Sequence, residues 1–453
     1  MKKFPALAVA VLALAPLSAF ASENDSLLHE AAGVVSADRI EGDIRTLVGF
    51  GTRHTLSETQ SDTRGIGAAR RWVKAEFERI SKECGGCLEV ITVSDFVEGE
   101  ERIPNRTEVV NVIAVQRGSL DPDRVVMMSG DIDSRVSDPL NGVSDSPGAN
   151  DNASGLAGTI EAARVLSKYK FAGTIVYAGL SGEEQGLFGG KILAKYALDH
   201  GWRVKAVLNN DMIGNIEGID GITDNTTARV FSEGVRITET AEEARQRRFS
   251  GGEVDSPSRN LARYIDRMAD RYIPNLDVMM VYRLDRFSRG GHHRPFNEAG
   301  MPGVRIMETH ENYNRQHQDL RTENGIAYGD VIEGVNFDYA RKLTALNVVT
   351  LAGLASAPPF PAEVTIDGAV SPSTHLKWKK ATGKAAKNLA GYRVYWRLTD
   401  APQWTHSLDV GLVDEATLEN VVIDNYYFGV ASVAKDGTES PVVFPGPMGS
   451  FGD

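Results

Sequence analysis

The feature that most constrains the fold of this chain is an alternation of short apolar runs with longer amphipathic segments. Residues 124–129 (RVVMMS) and 173–180 (GTIVYAGL) are short apolar runs of the kind that form buried strands. Residues 68–81 and 154–168 carry apolar side chains at helical spacing. Strands that alternate with helices build a mostly parallel sheet covered by helices. We therefore predict an α/β domain with a mostly parallel central sheet flanked by helices.

A change of composition marks the end of this domain. Residues 356–361 are rich in proline and predict a linker. Residues 362–446 contain short alternating runs, such as GYRVYWR and YYFGVASVA, which are typical of an all-β sandwich. This pattern resembles a fibronectin type III domain. We therefore expect an α/β domain over residues 22–355, followed by the linker and a smaller β domain.

The first 21 residues have the pattern of an export signal. Lys2 and Lys3 precede an apolar run over residues 6–17, and residues 19–21 (AFA) form a small-x-small cleavage site. The apolar run is shorter than the roughly 20 residues that a membrane span needs. We therefore predict a signal peptide over residues 1–21 and an exported, periplasmic or extracellular protein. The short n-region is typical of bacteria.

Two further features of the composition limit the function. Cys84 and Cys87 are the only cysteines, and in an exported protein such a pair predicts a disulfide. A thioredoxin-like redox pair is the alternative, whereas a zinc knuckle would need a second pair of cysteines. The formal net charge is −12 and there is no basic stripe, so a nucleic-acid partner is not expected.

Five short polar segments hold the functional signal. All except the last lie at or near the C-terminal ends of predicted strands, where ligands bind in open α/β sheets. The segments are SGDIDS (129–134), PGANDNASG (147–155), SGEEQGL (181–187), NNDMIG (209–214) and GGHHRPF (290–296).

These segments would bring six carboxylates to one edge of the sheet. They belong to Asp131, Asp133, Asp151, Glu183, Glu184 and Asp211. Carboxylates this close repel one another unless divalent cations lie between them. Oxygen ligands together with imidazole suit zinc, manganese or cobalt. Taken singly, each acid could be an ordinary loop residue or a helix cap, but their recurrence at successive strand ends predicts a metal site.

The order and spacing of the five segments resemble the secreted zinc exopeptidases of the bacterial leucyl aminopeptidase and aminopeptidase Y type. The resemblance covers residues 35–355. It implies an α/β fold with a central mixed sheet and a pair of divalent metal ions, normally zinc. It also implies peptide substrates that are hydrolysed from one end, in most members the amino end, by a metal-activated water.

The resemblance assigns the metal ligands by position. Asp151 matches the carboxylate that bridges the two metal ions. Glu184 and His293 match the other ligands of one ion. Asp211 matches a ligand of the second ion, and Asp131 stands where that ion normally has a histidine.

Two catalytic positions and two departures complete the comparison with the family. Glu183 is similar to the general base, and Asp133 matches the acid that orients a ligand. Asp131 replaces a histidine, while His292 stands where the family has an acid. We hypothesise that this swap preserves the charge of the site and changes which side supplies the nitrogen, so that His292 lies at or beside a metal. The alternative is a weak or empty second metal site.

Three other functions remain open from the sequence. The arginines within residues 283–294 could clamp a substrate carboxylate, as in a carboxypeptidase or dipeptidase, or lie in a solvated loop. A glutaminyl cyclase shares the fold and uses one zinc, and an inactive peptidase that only binds peptides is the third alternative. His310, Tyr313 and His317 lie in a loop that aligns loosely with the family, so the sequence assigns them no role.

Overall fold

The α/β part of the protein is built around a central sheet of eight strands. The structure is a computed structural model that describes residues 23–452. The predicted signal peptide lies outside the described residues. The strands are β1 Glu89–Val97, β2 Thr107–Gln116, β3 Asp121–Asp131, β4 Gly173–Leu180, β5 Arg203–Asn210, β6 Thr227–Phe231, β7 Asp277–Val281 and β8 Gly303–Glu308. Their order across the sheet is β1-β2-β4-β3-β5-β8-β6-β7.

The middle of the sheet is parallel and its flanks contain antiparallel pairs. The pairs β3–β4, β3–β5, β5–β8 and β6–β7 are parallel. The pairs β1–β2, β2–β4 and β6–β8 are antiparallel. The predicted mixed, mostly parallel sheet is therefore confirmed.

Helices cover both faces of this sheet. Their bounds are α1 Glu23–Gly33, α2 Ala37–Gly49, α3 Gly65–Glu83, α4 Ala153–Leu166, α5 Phe188–Asp199, α6 Ala241–Ser250, α7 Pro257–Tyr272, α8 His293–Glu298 and α9 Phe337–Ser356. Val126 and Met128 of β3 belong to one apolar cluster, which includes residues of α4 and α9. Val125 and Met127 point the other way, into a cluster with residues of α5. Within residues 23–452, no helix combines the length and apolar character that a bilayer span requires.

Two separate antiparallel sheets follow at the C-terminus. One sheet has the order β11-β12-β15, built from Ala362–Asp367, Thr374–Lys379 and Glu415–Leu418. The other has the order β14-β13-β16, built from His406–Gly411, Leu389–Leu398 and Tyr426–Ala434. A short hairpin, β9 Arg321–Glu323 with β10 Ile326–Tyr328, lies earlier in the chain.

The C-terminal sheets are joined to α7 by a buried ion cluster. Arg397 of β13 lies 2.8 Å from Asp255, and Arg263 of α7 lies 2.8 Å from the same carboxylate. All three side chains are fully buried. The Trp404 ring stacks against both guanidinium groups. One carboxylate held between two arginines therefore links the two parts of the chain.

The predicted disulfide between Cys84 and Cys87 is present. It follows α3, whose last residue is Glu83, and closes the turn that leads into β1. Gly85 and Gly86 both have positive φ values in this turn, a backbone conformation that glycine adopts without strain.

Candidate metal centre

Three neighbouring parallel strands deliver the acidic residues to one edge of the sheet. β3 ends at Asp131, β4 ends just before the turn that carries Glu183 and Glu184, and β5 ends just before Asp211. In this turn Gly182 has a φ of 73°, which a residue with a side chain rarely adopts. Because the strands run in the same direction, their carboxyl ends meet at this edge.

Asp151, Glu184 and His317 form the metal-binding arrangement of the site. His317 Nε2 lies 3.0 Å from Asp151 Oδ2 and 3.0 Å from Glu184 Oε1. One ligand atom from each side chain falls within 4.8 Å of the other two. Carboxylate and imidazole groups are both zinc ligands, and catalytic zinc sites combine three protein ligands with one open position. These three residues therefore fit a zinc ion.

The structure places His317, and not His293, beside Asp151 and Glu184. His293 begins helix α8 and is fully buried, with Nε2 2.9 Å from the carbonyl oxygen of Leu284. It is not brought to the two carboxylates that the sequence comparison paired with it. His317 lies in the loop after β8, in the segment NRQHQD. The histidine was visible in the sequence, but no regular pattern linked that loop to the site.

Arg135 and Asp330 hold this triad in place, and the sequence did not indicate either residue. Arg135 Nε lies 2.9 Å from Glu184 Oε2, and its Nη2 lies 2.7 Å from His317 Nδ1. Asp330 accepts a hydrogen bond of 2.7 Å from the backbone N–H of Asp151. Such contacts orient ligating side chains.

The charges around His317 make zinc binding dependent on pH. Burial by itself would lower its pKa, but Glu184 and Asp151 raise the pKa of His317 to about 9. An imidazole must be neutral to bind zinc, so a zinc ion at His317 would compete with a proton.

Asp133 positions the loop that carries Glu183 and Glu184. Its Oδ1 accepts a hydrogen bond from the backbone N–H of Glu183 (3.3 Å), and its Oδ2 accepts one from Glu184 (3.2 Å). Thr55 Oγ1 donates to the same carboxylate. Desolvation, together with the charges of Asp211 and Glu184, raises the pKa of Glu183 well above its usual value. Glu183 is therefore suited to accept and hold a proton.

The two swapped residues, Asp131 and His292, are in direct contact. His292 Nδ1 lies 2.6 Å from Asp131 Oδ1. Asn152 Nδ2 donates to the other oxygen, Asp131 Oδ2, at 2.7 Å. Burial lowers the pKa of His292 to about 4, so its ring is neutral, and burial raises the pKa of Asp131 to about 8. Both oxygens of Asp131 are thus occupied by protein groups.

Asp211 is paired with Arg305, a residue that lies outside the five polar segments. Arg305 Nη2 lies 2.8 Å from Asp211 Oδ2, and Arg305 Nε donates to the carbonyl oxygen of Asp211 at 2.8 Å. Arg305 also lies 3.2 Å from Asp285. Within residues 23–452, Asp131 and Asp211 belong to no group of three ligand atoms within reach of one ion. The residues therefore fit one metal ion at the triad but do not fit a second.

A cavity of about 500 Å³ opens onto the triad. Glu183, Asp151, Glu184 and Asp211 contribute acidic groups to its lining. Arginines of the 283–294 segment line it as well. Arg286 is buried and lies 3.0 Å from Glu311, and Arg289, which is partly exposed, shares that carboxylate. Arg286 is therefore a buried, ion-paired residue of the pocket wall and not a solvated loop residue.

A helix-covered mixed sheet with a carboxylate–imidazole triad and an adjacent glutamate at its edge defines a metal-dependent hydrolase. Residues 111–331 match the sequence profile of peptidase family M28. A probable zinc metalloprotease from Leptosphaeria maculans is 45% identical over 414 residues, which cover 91% of this chain and 95% of the relative. The chain therefore belongs to peptidase family M28 and is a zinc metallopeptidase.

Other relatives agree with this assignment. A probable zinc metalloprotease from Pyricularia oryzae is 43% identical over 428 residues, covering 93% of this chain and 85% of the relative. Among solved structures, the LapA aminopeptidase of Legionella pneumophila superposes with a TM-score of 0.52 at 21% identity, covering 73% of this chain and 75% of LapA. The superposition supports the α/β fold. Both metalloprotease relatives are fungal, so a bacterial origin stays a prediction.

Proposed function

We propose that this metallopeptidase is an exported exopeptidase that removes residues from the amino ends of peptides. The observation that carries the proposal is the position of Glu183 beside the Asp151–Glu184–His317 triad in one pocket. The pocket has a volume of about 500 Å³, which is typical of sites for small ligands. A chain end fits such a volume better than an extended polypeptide does.

The residues of the pocket have separate tasks in peptide hydrolysis. A zinc ion held by Asp151, Glu184 and His317 would supply Lewis-acid chemistry toward water and the scissile carbonyl. Glu183 accepts the proton of the attacking water and passes it to the leaving amine. Asp133 keeps Glu183 in place through the backbone.

Action at the amino end is supported by a group of carboxylates at the triad, in a pocket that basic side chains line as well. Asp151, Glu183, Glu184 and Asp211 all face it. A zinc ion would neutralise Asp151 and Glu184, and Arg305 pairs with Asp211, so Glu183 is the carboxylate left to attract a protonated α-amine.

Carboxypeptidase or dipeptidase action is a second candidate, favoured by Arg289. This side chain lines the same pocket and shares its partner, Glu311, with Arg286 and Arg229. Arg286 also lies 3.2 Å from Asp285, so the three guanidinium groups face two carboxylates and one positive charge is left. That charge suits the free carboxylate of a short peptide.

Two blocked versions of one peptide separate the candidates. The purified protein is incubated with a peptide that has a free amine and an amidated carboxyl end, and with one that is acetylated and has a free carboxylate. We expect mass spectrometry to show loss of residues only from the free amine, and a chelator to abolish this loss. Cleavage of the acetylated peptide alone would establish the carboxypeptidase. Internal cleavage of both would refute exopeptidase action.

We also propose that the protein is exported. The pattern of residues 1–21 supports export, as does the Cys84–Cys87 disulfide, because disulfides persist in oxidising compartments. Amino-terminal sequencing of protein recovered outside the cytoplasm is expected to begin at Ser22. Recovery of the full chain with Met1 from the cytoplasm alone would contradict export.

We further propose a catalytic domain over residues 22–355, a linker over residues 356–361 and a fibronectin type III-like domain over residues 362–446. Helix α9 ends at Ser356 and β11 begins at Ala362, which supports these limits. The pairing of two three-stranded antiparallel sheets supports the type of domain.

A further inference from the structure

We propose that the centre holds one zinc ion, and that the guanidinium group of Arg305 supplies the positive charge that a second ion would otherwise bring to Asp211. The inference rests on the proposed function only in taking the Asp151–Glu184–His317 triad as the zinc site. It departs from the metal pair that the sequence predicted with Asp131, Asp151 and Asp211.

The first support is the pairing of Asp211. Its Oδ2 lies 2.8 Å from Arg305, whose Nε also binds the carbonyl oxygen of the same residue. Arg305 is fully buried, and a guanidinium keeps its charge at any physiological pH. A second dication at Asp211 would have to approach this fixed charge, or separate it from one of its two buried carboxylate partners.

The second support is that Arg305 is held from its other side. Its Nη1 lies 3.2 Å from Asp285 Oδ2 and donates to the carbonyl oxygen of Gly290 at 2.9 Å. Asp285 is itself buried. Arg305 therefore sits between two carboxylates and two backbone carbonyls, which fix its guanidinium plane beside Asp211.

The third support is the distance between the remaining ligand atoms. Two ligands of one zinc ion, each roughly 2.1 Å from it, lie no more than roughly 4.2 Å apart. Among the described residues, Asp131 and Asp211 share no group of three ligand atoms within even 4.8 Å of one another. Both oxygens of Asp131 are bound by His292 and Asn152.

One observation favours a second ion, and the experiment must test it. His292 is fully buried, and its Nε2 has no hydrogen-bond partner among residues 23–452. Its other nitrogen contacts Asp131, as in many metal-binding histidines. A second ion held through His292 would match the hypothesis that His292 replaces the histidine missing at position 131. The structure, however, places no second and third ligand around this nitrogen.

Zinc content distinguishes the two arrangements. The full-length protein and its variants are loaded with zinc, dialysed against metal-free buffer and measured by elemental analysis, with circular dichroism as the check of folding. We expect one zinc per chain in the wild type, and still one in Asp211→Asn and in His292→Ala. We expect almost none in His317→Ala.

Two zinc ions in the wild type that fall to one in Asp211→Asn or His292→Ala would overturn the proposal. A cobalt-loaded wild type provides a measurement that needs no variant. We expect the electron paramagnetic resonance signal of an isolated high-spin cobalt ion, whereas a spin-coupled pair at full loading would overturn the proposal.

The peptide assays separate this inference from the proposed function. One zinc per chain without cleavage of any blocked peptide would sustain the single-ion centre and refute the proposed removal of residues from the amino end. Chelator-sensitive cleavage with two zinc ions per chain would refute the single-ion centre and sustain the exopeptidase. Absence of any zinc binding would refute both.

Discussion

His317 Nε2 lies 3.0 Å from Glu184 Oε1, although the two residues come from distant parts of the chain. Glu184 follows a strand in the middle of the sheet, and His317 belongs to a loop that returns to the sheet edge after β8. Asp151 lies at the same distance from the imidazole. This loop therefore completes the candidate zinc site, whose geometry depends on the position of the loop.

Replacement of His317 should remove zinc. We expect His317→Ala to weaken zinc binding by more than about 100-fold, since loss of even an outer contact costs about 10- to 100-fold. His293→Ala should keep zinc in the folded protein while lowering its melting temperature, because His293 is a buried residue bound to Leu284. His310→Ala, in the same loop as His317, is the control. It should keep both the zinc ion and the melting temperature of the wild type. Zinc retained in His317→Ala and lost in His293→Ala would restore the original assignment.

Replacement of Glu183 should separate catalysis from metal binding. We expect Glu183→Gln to keep zinc and to lower kcat by about 10²- to 10⁴-fold, because general-base catalysis contributes this much. The control is Glu298→Gln at the pocket rim, where the side chain pairs with Arg294 and should matter little. Steady-state rates with a free-amine peptide give the comparison. A variant that turns over as fast as the wild type would remove Glu183 from the reaction.

Replacement of Arg397 should destabilise the contact between α7 and the C-terminal sheets. Arg397→Met leaves the buried carboxylate of Asp255 with Arg263 alone, and we expect the free energy of unfolding to fall by at least about 2 kcal/mol. Lys377→Ala removes an exposed ion pair with Glu415. This control should change the free energy of unfolding by about 0.5 kcal/mol or less. Chemical denaturation measures both. Equal effects of the two changes would mean that the buried cluster is not a stabilising contact.

The carboxyl group of Asp43 should make stability depend on pH. Desolvation and the nearby charge of Glu76 raise its pKa from 3.8 to about 7. The folded protein therefore binds this proton more tightly than the unfolded chain does, and the contribution is complete below about pH 4 and lost as the pH rises to about 7. We expect the gain in melting temperature of Asp43→Asn over the wild type to grow from pH 5 to pH 8.

Asp38→Asn, on an exposed position of the same helix, controls for the loss of one negative charge. Its difference in melting temperature from the wild type should stay nearly constant over this range. A constant difference for Asp43→Asn as well would show that the environment of Asp43 does not disfavour the charged carboxyl group.

Many strands and helices of the α/β domain could be predicted, because the patterns that indicate them lie within short stretches of sequence. The apolar run over residues 173–180 is the strand β4 with the same bounds, and the helix predicted over residues 154–168 is α4, Ala153–Leu166. The strand predicted over residues 124–129 extends in the structure to Asp121–Asp131. Strand ends are less visible than strand centres, because hydrogen bonding continues into polar residues.

The site was predicted only in part. Arg305 and His317 show why, because each contacts residues that lie far away in the sequence. Arg305 interrupts the apolar part of the strand GVRIME, and a buried charge of this kind requires a partner. The sequence therefore contained a signal for Arg305 but not the identity of its partner. For His317 even this signal was absent, because loops have no periodicity that relates one residue to another.

The sequence by itself determined the fold class, the metallopeptidase chemistry, the disulfide and the acidic residues that follow the strands. These follow from short-range patterns, since a strand places the residue after it at a known edge of the sheet. Only the tertiary structure decided which histidine joins Asp151 and Glu184, and that Asp211 is neutralised by Arg305. The physical reason is that metal ligands and buried ion pairs need atoms within a few ångströms, and such distances between loops and strands arise only when the whole chain packs.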